Sequence, residues 1–462
     1  MYGVSRRFSL RGVLRKQVLD ALRGSQLICD AVLIVYKEYN DKVATLTQQT
    51  LHRKTLMAVG LFGVMLGAVG LPIYLHAPKY FSDTYGVSLV SLGAIMSVLR
   101  LLDFAQDPLL GRLSAIGLIS HRALSLIAGI CIAAGAAGLF IVTAPFAATL
   151  WFALSLILLF SGYSLCVILL YAHATKNFTN ADQPVIARWR ETGQLIGICL
   201  SAIAPTIFAS LSVLPYVWFG AFLIGITLIA VLLMHDRWSV ETEPSSVQPF
   251  VIAAPDPRIR PYLLLAFVNA IPVAITSTLF LFYVEHAIGA AAASGPLLLL
   301  FFGAAAVAVP VWSLLAKTYS VEWVLGCAML ASLLAFVFTF SLVTGDVLAF
   351  AVICGVTGIL TGADLTLLPM IFIKFLQRTN VPSEEAFGYW SLSAKLALAL
   401  AVGLVLPGLE LSGFDPETPT AQGIHNLSVA YALIPTALKF CAIYMLWRIS
   451  THQSASVQGF NR

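Results

Sequence analysis

HDRWSVETEPSSVQPFVIAAPDPR, residues 235–258, is the longest polar, proline-bearing stretch in the body of a chain that is otherwise apolar. About 20 apolar residues suffice for a helix to cross the hydrocarbon of a bilayer, and six such runs lie on each side of this stretch. Before it they fall near 55–77, 85–112, 122–143, 146–172, 187–211 and 214–234; after it, near 261–284, 295–317, 321–343, 346–374, 385–410 and 426–448. Several are interrupted by Gly and Pro, which membrane helices tolerate when neighbours satisfy the freed backbone groups. The 462 residues are 59% apolar and 11% charged, with a mean hydropathy of +0.90. Soluble domains carry about 25% charge, so this chain lacks the charge to cover a soluble surface. The sequence predicts an all-α membrane protein with a leader (1–54), a six-helix bundle (55–234), a linker (235–258), a second six-helix bundle (259–448) and a tail (449–462).

The net charge of +5 is unevenly distributed. Residues 1–54 hold ten Lys/Arg against four Asp/Glu, a balance of +6, and the remaining 17 against 18 leave the body at −1. A nearly neutral, greasy body excludes a nucleic-acid groove. The leader's SRRFSLRGVLRKQVLDALRG has helical spacing of apolar residues among arginines, which reads as an amphipathic helix on anionic lipid; an unstructured tail, or a true start at Met57, are the other readings. Its apolar stretch Ile28–Tyr36 is too short and too charged at its flanks for a secretory signal. Seven dispersed cysteines, scattered histidines and the absence of a Walker loop argue against disulfides, a zinc site, an ATP-driven pump or a metalloenzyme, and no enzyme is expected.

Basic residues in short loops mark the cytoplasmic side. Arg112, Arg122, Lys176, Arg188, Arg190, Arg237, Arg258, Arg260, Lys317, Lys374, Arg378 and Arg448 fall on the side of the leader. Lys79 is alone on the other, among Asp83, Glu285, Asp346, Glu410, Asp415 and Glu417. Both termini are therefore expected in the cytoplasm, with a bacterial inner membrane as the host bilayer.

An ionisable group inside a bilayer is costly enough to suggest a function. In SVLRLLDFAQDPLLGRLS (97–114), Arg100, Asp103 and Asp107 are spaced by three and four, which puts them on roughly one helix face. The eleventh run carries Lys395 and the tenth Asp364. Two carboxylates one turn apart offer several oxygens to a small hard cation, or, if buried, hold a proton on one member because like charges repel. The pair suits sodium or proton coupling equally. A lysine that neutralises the carboxylates when the cation leaves would keep the site near neutral in each state; the alternative is a plain ion pair that closes the cytoplasmic gate.

Twelve helices in two halves fit the major facilitator fold, and on counting alone they fit other twelve-span carriers too. The residues 71–114 resemble the first two helices of the glycoside–pentoside–hexuronide:cation symporter family, of which the melibiose carrier is the best-known member; the D-x-x-x-D-P-x-x-G element from Asp103 to Gly111 is its most specific mark. ARWRETGQLIGICLSAIAPTIF (187–208), GADLTLLPM (362–370), AFGYWSLSAKLALALAVGLVLPGLELSGFDP (386–416) and YALIPTALK (431–439) are similar to the family's fifth, tenth, eleventh and twelfth helices. The resemblance implies a major facilitator fold, cation-coupled symport of a sugar or similar small solute, cation-site roles for Asp103, Asp107 and Lys395, and a sugar-site role for Arg190. Arg190 also suits a positive-inside role beside its basic loop.

The departures fall in the sugar site and the gate. Leu169 and Gly67 stand where the melibiose carrier has aspartates, and His173 where it has a tryptophan. After Gly111 the usual acidic and basic cluster is thinned to His121 and Arg122, and IFIKFLQRTN (371–380) replaces an acidic segment. Arg100, Gly111 and Arg112 are the gate residues expected, and Tyr163, Gln194, Asn269 and Trp390 the further solute contacts. No cofactor or resident metal is expected, only a coupling ion, Na+ or H+, at Asp103 and Asp107. A site poor in sugar-binding groups also suits a lipid-like or amphipathic solute, and the thinned gate a non-transporting membrane sensor.

Overall fold

In the computed structural model the described residues are 53–179, 181–238, 255–414 and 420–459. The amphipathic reading of the leader falls on residues outside these, as does the middle of the polar linker. The described residues are helical with short connections, and eleven helices are long and apolar enough to cross a membrane. The remaining run, the second, is the 27-residue helix Leu89–Ala115, which carries the embedded charges.

Lipid offers no partner for backbone N–H and C=O groups, so a spanning segment must satisfy them within itself as a helix. Local signals set the ends. Ser88 and Ser120 accept hydrogen bonds from the backbone N–H of Ser91 and Ala123 at 3.2 and 3.3 Å, capping the second span and the third, His121–Phe140. Prolines open the fifth, Gln183–Leu211, the sixth, Pro215–His235, and the seventh, Arg260–Ala287, at a position whose N–H would have no partner in any case. The first span breaks at Gly70 and resumes as Leu71–Tyr85. After the linker, Asp256 takes the backbone N–H and guanidinium of Arg258, which hold its carboxyl down at about 2.

The fourth span is Ala148–Asn177, and the second half continues with Ala291–Thr318, Val321–Ser341, Val347–Leu376, Ser383–Leu411 and Ala421–Thr451 as the eighth to twelfth. Within the halves the third packs on the fourth and sixth, and the eighth on the tenth. Between the halves, the second lies along the eleventh and the fifth along the eighth, the same pair of positions taken in each half.

The closest approaches are between backbones. A Cβ on Gly111 would lie 2.6 Å from the carbonyl of Glu384, and one on Gly388 would lie 2.7 Å from the carbonyl of Asp107. Only glycine allows the second and eleventh spans to cross this tightly, as small residues do at membrane helix interfaces. A second such seam joins the first span to the fifth, where a Cβ on Gly67 would fall 1.8 Å from the carbonyl of Gln194; Ser201 Oγ donates to Ala68 O at 2.8 Å along it.

Three spans in the second half contain a π-helical turn: Tyr283–Ala287, Ala401–Val405 and Val429–Leu433. Tyr283 and Tyr431 stack there at 4.1 Å, and the Tyr283 hydroxyl donates to Thr339 O at 2.7 Å.

Candidate functional site

Asp107 is fully buried in the second span, and Pro108 beside it lacks the N–H that would bond the carbonyl four residues earlier. Lys395 reaches it from the eleventh span, from the other half of the protein. Its Nζ donates to Asp107 Oδ1 at 2.9 Å and to Ser164 Oγ of the fourth span at 2.6 Å. Asp107 Oδ2 has no hydrogen-bond partner. Three helices from two halves thus meet on one ammonium group. Asp103 lies four residues earlier in the same helix and Arg100 seven; their side chains lie outside what the structure describes.

Lys395 also lines a cavity of about 370 Å³. Tyr74, Phe160, Tyr163 and Tyr171 form its wall on the first half, and Phe387, Trp390, Ser391 and Ala394 form it on the second. Tyr74 stacks on Phe160 at 4.6 Å, and Trp390 on Phe372 at 4.8 Å, so the aromatic walls are held by neighbouring rings. This volume falls in the range of small-molecule sites, about 300–1,000 Å³.

The expected solute contacts divide. Tyr163 and Trp390 line this cavity, whereas Gln194, Asn269 and Arg190 are not among its lining residues. Gln194 lies on the seam against Gly67, and Asn269 accepts from Lys439 at 2.8 Å. Arg190 is 1% exposed inside the fifth span. Its guanidinium carbon sits 3.9 Å over the Tyr171 ring, its Nε pairs with Glu191 Oε1 at 2.7 Å, and the Tyr171 hydroxyl donates to the same oxygen at 3.1 Å. Both Nη groups are without hydrogen-bond partners. Arg190 therefore lies directly behind a cavity-lining ring. His173 and Leu169 are buried away from the cavity, His173 against Asn177 and Trp238.

Ion pairs close the end of the molecule that carries the basic loops. Arg112 meets Glu385 at 3.4 Å, while Glu384, 1% exposed, takes His121 at 3.2 Å and Lys176 at 2.5 Å. Gln377, which caps the tenth span, donates to the carbonyls of Thr175 and Phe178 at 2.9 and 2.6 Å, and Ser313 of the eighth to Pro184 O. Each joins the first half to the second. Gly111 and Arg112 lie in this closure. His121 is legible in the sequence as a remnant of the family's gate cluster; Glu384, Glu385 and Lys176 carry no sequence signal beyond charge near a span end, which is also what an interfacial anchor shows. Lys439 is absent from the expected site residues although it lies in the family-like YALIPTALK and in the interior of the twelfth span, where it is buried and paired with Asp364.

No group of three or more His, Cys, Asp or Glu able to hold a metal occurs among the described residues.

The structure resembles several solved transporters. A bacterial homologue of the iron transporter ferroportin in an outward-facing state aligns over 86% of this chain and 99% of its own, with 12% identity and a TM-score of 0.66. The human organic anion transporter MFSD10 aligns over 85% and 98%, with 16% identity and a TM-score of 0.61. The E. coli fucose:proton symporter aligns over 83% and 97%, with 12% identity and a TM-score of 0.56. At such identities these likenesses speak for the fold. No curated protein sequence matches the chain significantly. The family model described as MFS/sugar transport protein matches residues 56–452, nearly the whole body around the two seams and the bridging lysine, so the chain belongs to that family and is a multi-pass membrane transporter rather than an enzyme.

Proposed function

We propose that the protein is a secondary active carrier that couples sodium or proton movement to symport of a sugar or another small organic solute by alternating access. The observation that carries this reading is the reach of Lys395 across the two halves to the buried Asp107, at the edge of a cavity of solute size. Asp103, one turn earlier in the helix, supplies the second carboxylate of the cation site.

The chemistry follows from charge neutrality. A carboxylate stripped of water and left without a partner is strongly disfavoured. The Lys395 ammonium compensates Asp107 when no cation is bound. An arriving sodium ion or proton takes over that role and releases Lys395, so the site crosses between access states without carrying an extra charge through the low-dielectric interior. Because the lysine belongs to one half and the aspartate to the other, cation binding loosens a bond between the halves. Positive-inside charge supports a cytoplasmic location for both termini and for the closed end, which makes the observed arrangement outward-facing. Arg190, with two unpartnered Nη groups behind Tyr171, is a reserve of donors for the solute once that ring shifts.

The aromatic walls favour a second solute class. Phe160, Tyr163, Phe387 and Trp390 offer ring faces and few acceptors, which fits an amphipathic solute with an apolar body as well as the apolar face of a sugar ring.

Uptake by purified protein in liposomes tests both. With imposed sodium and proton gradients, a panel of sugars and short-chain amphiphiles is expected to yield one gradient-driven solute, and D107N is expected to abolish the gradient dependence. Unchanged coupling in D103N and D107N would remove the cation site, and absence of any driven flux would favour the sensor.

A further inference from the structure

The closed end of the molecule is built in two layers, and the inner one is aromatic. Lys176 of the fourth span, Gln377 at the end of the tenth and Glu384 of the eleventh make polar contacts between the halves. On each of these helices a ring lies three to five residues nearer the cavity, about 4.5–7.5 Å along the axis: Tyr171, Phe372 and Phe387. The rings touch. Tyr171 and Phe387 meet across the boundary between the halves with centroids 4.9 Å apart, and Phe387 meets Phe372 at 5.3 Å. Of the cavity-lining residues in the fourth and eleventh spans, Tyr171 and Phe387 are the nearest to the closed end, so they form the cavity floor.

The outer, polar layer is wet. The side chains of Lys176 and Glu385 are 45% and 21% exposed, so solvent reaches the ion pairs. Paired rings offer no partner for the water that an ion would have to shed, and apolar constrictions of this kind close by dewetting. Each ring is also held from behind by its own half. The Tyr171 hydroxyl donates to Glu191 Oε1 at 3.1 Å and the Arg190 guanidinium carbon lies 3.9 Å over its ring, while Phe387 packs on Phe372 and Trp390. When the halves part at this end, the contact between Tyr171 and Phe387 breaks and the two rings leave with opposite halves.

We propose that Tyr171 and Phe387 form a hydrophobic seal that keeps protons, sodium and water from slipping through the cavity while this end is closed. The ion pairs beyond it have a separate task, setting how readily the end opens. Opening of the seal belongs to the alternating access proposed above; its closed state does not, so leak is read in the absence of solute.

The test is passive leak in liposomes that hold the purified full-length protein. Proton entry is followed with an entrapped pH-sensitive dye after an acid step, and water flux by light scattering after an osmotic step. Y171A and F387A are each expected to raise both fluxes about tenfold over the unaltered protein, because each removes one side of the apolar constriction. Y171F keeps the ring and loses the bond to Glu191; it is expected to stay as tight as the unaltered protein. E384Q alters only the polar layer and is expected to change exchange rates while leaving the leak as it was. Fluxes unchanged in both alanine variants overturn the proposal. So does a leak in Y171F equal to that of Y171A, which would trace closure to the hydroxyl, or one in E384Q equal to that of Y171A, which would trace it to the ion pairs. If F387A does not fold, Y171A, whose ring borders the cavity, decides alone. A leaky Y171A in a protein that drives no solute removes the symport reading and leaves the seal standing.

Discussion

Lys395 and Asp107 meet across the two halves of the protein, whereas Lys439 and Asp364 meet inside one. The side-chain chemistry is the same in both, and each pair leaves one carboxylate oxygen unpartnered. The surroundings differ. Lys395 is 22% exposed, faces the cavity, and must let go of Asp107 if the halves are to rock. The Lys439 side chain is 8% exposed, and both its partners lie in the same half. An ion pair that spans a moving boundary reports the state of the carrier. One enclosed within a single half does not have to break for the halves to rock.

The largest effect is expected at the spanning pair. D107N should lower gradient-driven uptake in liposomes by about 100-fold or more, equivalent to about 2.7 kcal/mol, while exchange of solute without a gradient is retained in part. The enclosed pair should give the opposite signature. D364N strands the Lys439 charge, and breaking a buried pair costs about 3–5 kcal/mol, read as a large fall in thermal stability in detergent. The double variant D364L/K439M should recover most of that loss, because a well-packed apolar pair can replace a buried ionic one. If D364N leaves stability intact while D107N collapses it, the roles assigned to the two pairs are exchanged.

A third experiment acts on the crossing that brings Asp107 to Lys395. G388V places a side chain where the second span's backbone runs, so the closed end should open. A cysteine introduced at Gln377 should then react about tenfold faster with a membrane-impermeant maleimide applied from that side. Next in size are the gate carboxylates. E384Q, at a buried group shared by His121 and Lys176, should change exchange rates about tenfold, about 1.5 kcal/mol, the low end for a hydrogen bond to a charged group. E385Q, at a longer and more exposed pair, should change them less than twofold. The smallest effect is D83A, which removes an exposed i,i+4 pair with Lys79 and should shift stability by less than about 0.5 kcal/mol.

The contrast between the pairs also explains what the sequence could convey. The spans were legible because hydrocarbon demands long apolar runs, and Asp107 and Lys395 because charges in the middle of such runs have no bland explanation. Lys439 lies about as deep in the twelfth run as Lys395 does in the eleventh and carries the same signal of an embedded charge, but its meeting with a residue 75 positions away follows from packing alone. Glu384 and Glu385 read as acids in a helix's first turn, favourable there in any protein; that they receive partners from the other half is again a matter of packing. Polar residues within spans were the least legible. Gln194 and Tyr163 look alike in a string of letters, yet one lies on a helix seam and the other on a cavity wall, because a rotation of about 100° per residue decides which.

The seam at Gly67 sets a boundary on how this carrier could be redesigned. Any side chain there would collide with the backbone of Gln194, so an acidic acceptor for solute hydroxyls cannot be introduced at that position without prising the first and fifth spans apart. An engineer seeking a hydroxyl-rich cargo would have to start from Leu71 or Ala394, which face the cavity, and leave the glycine alone.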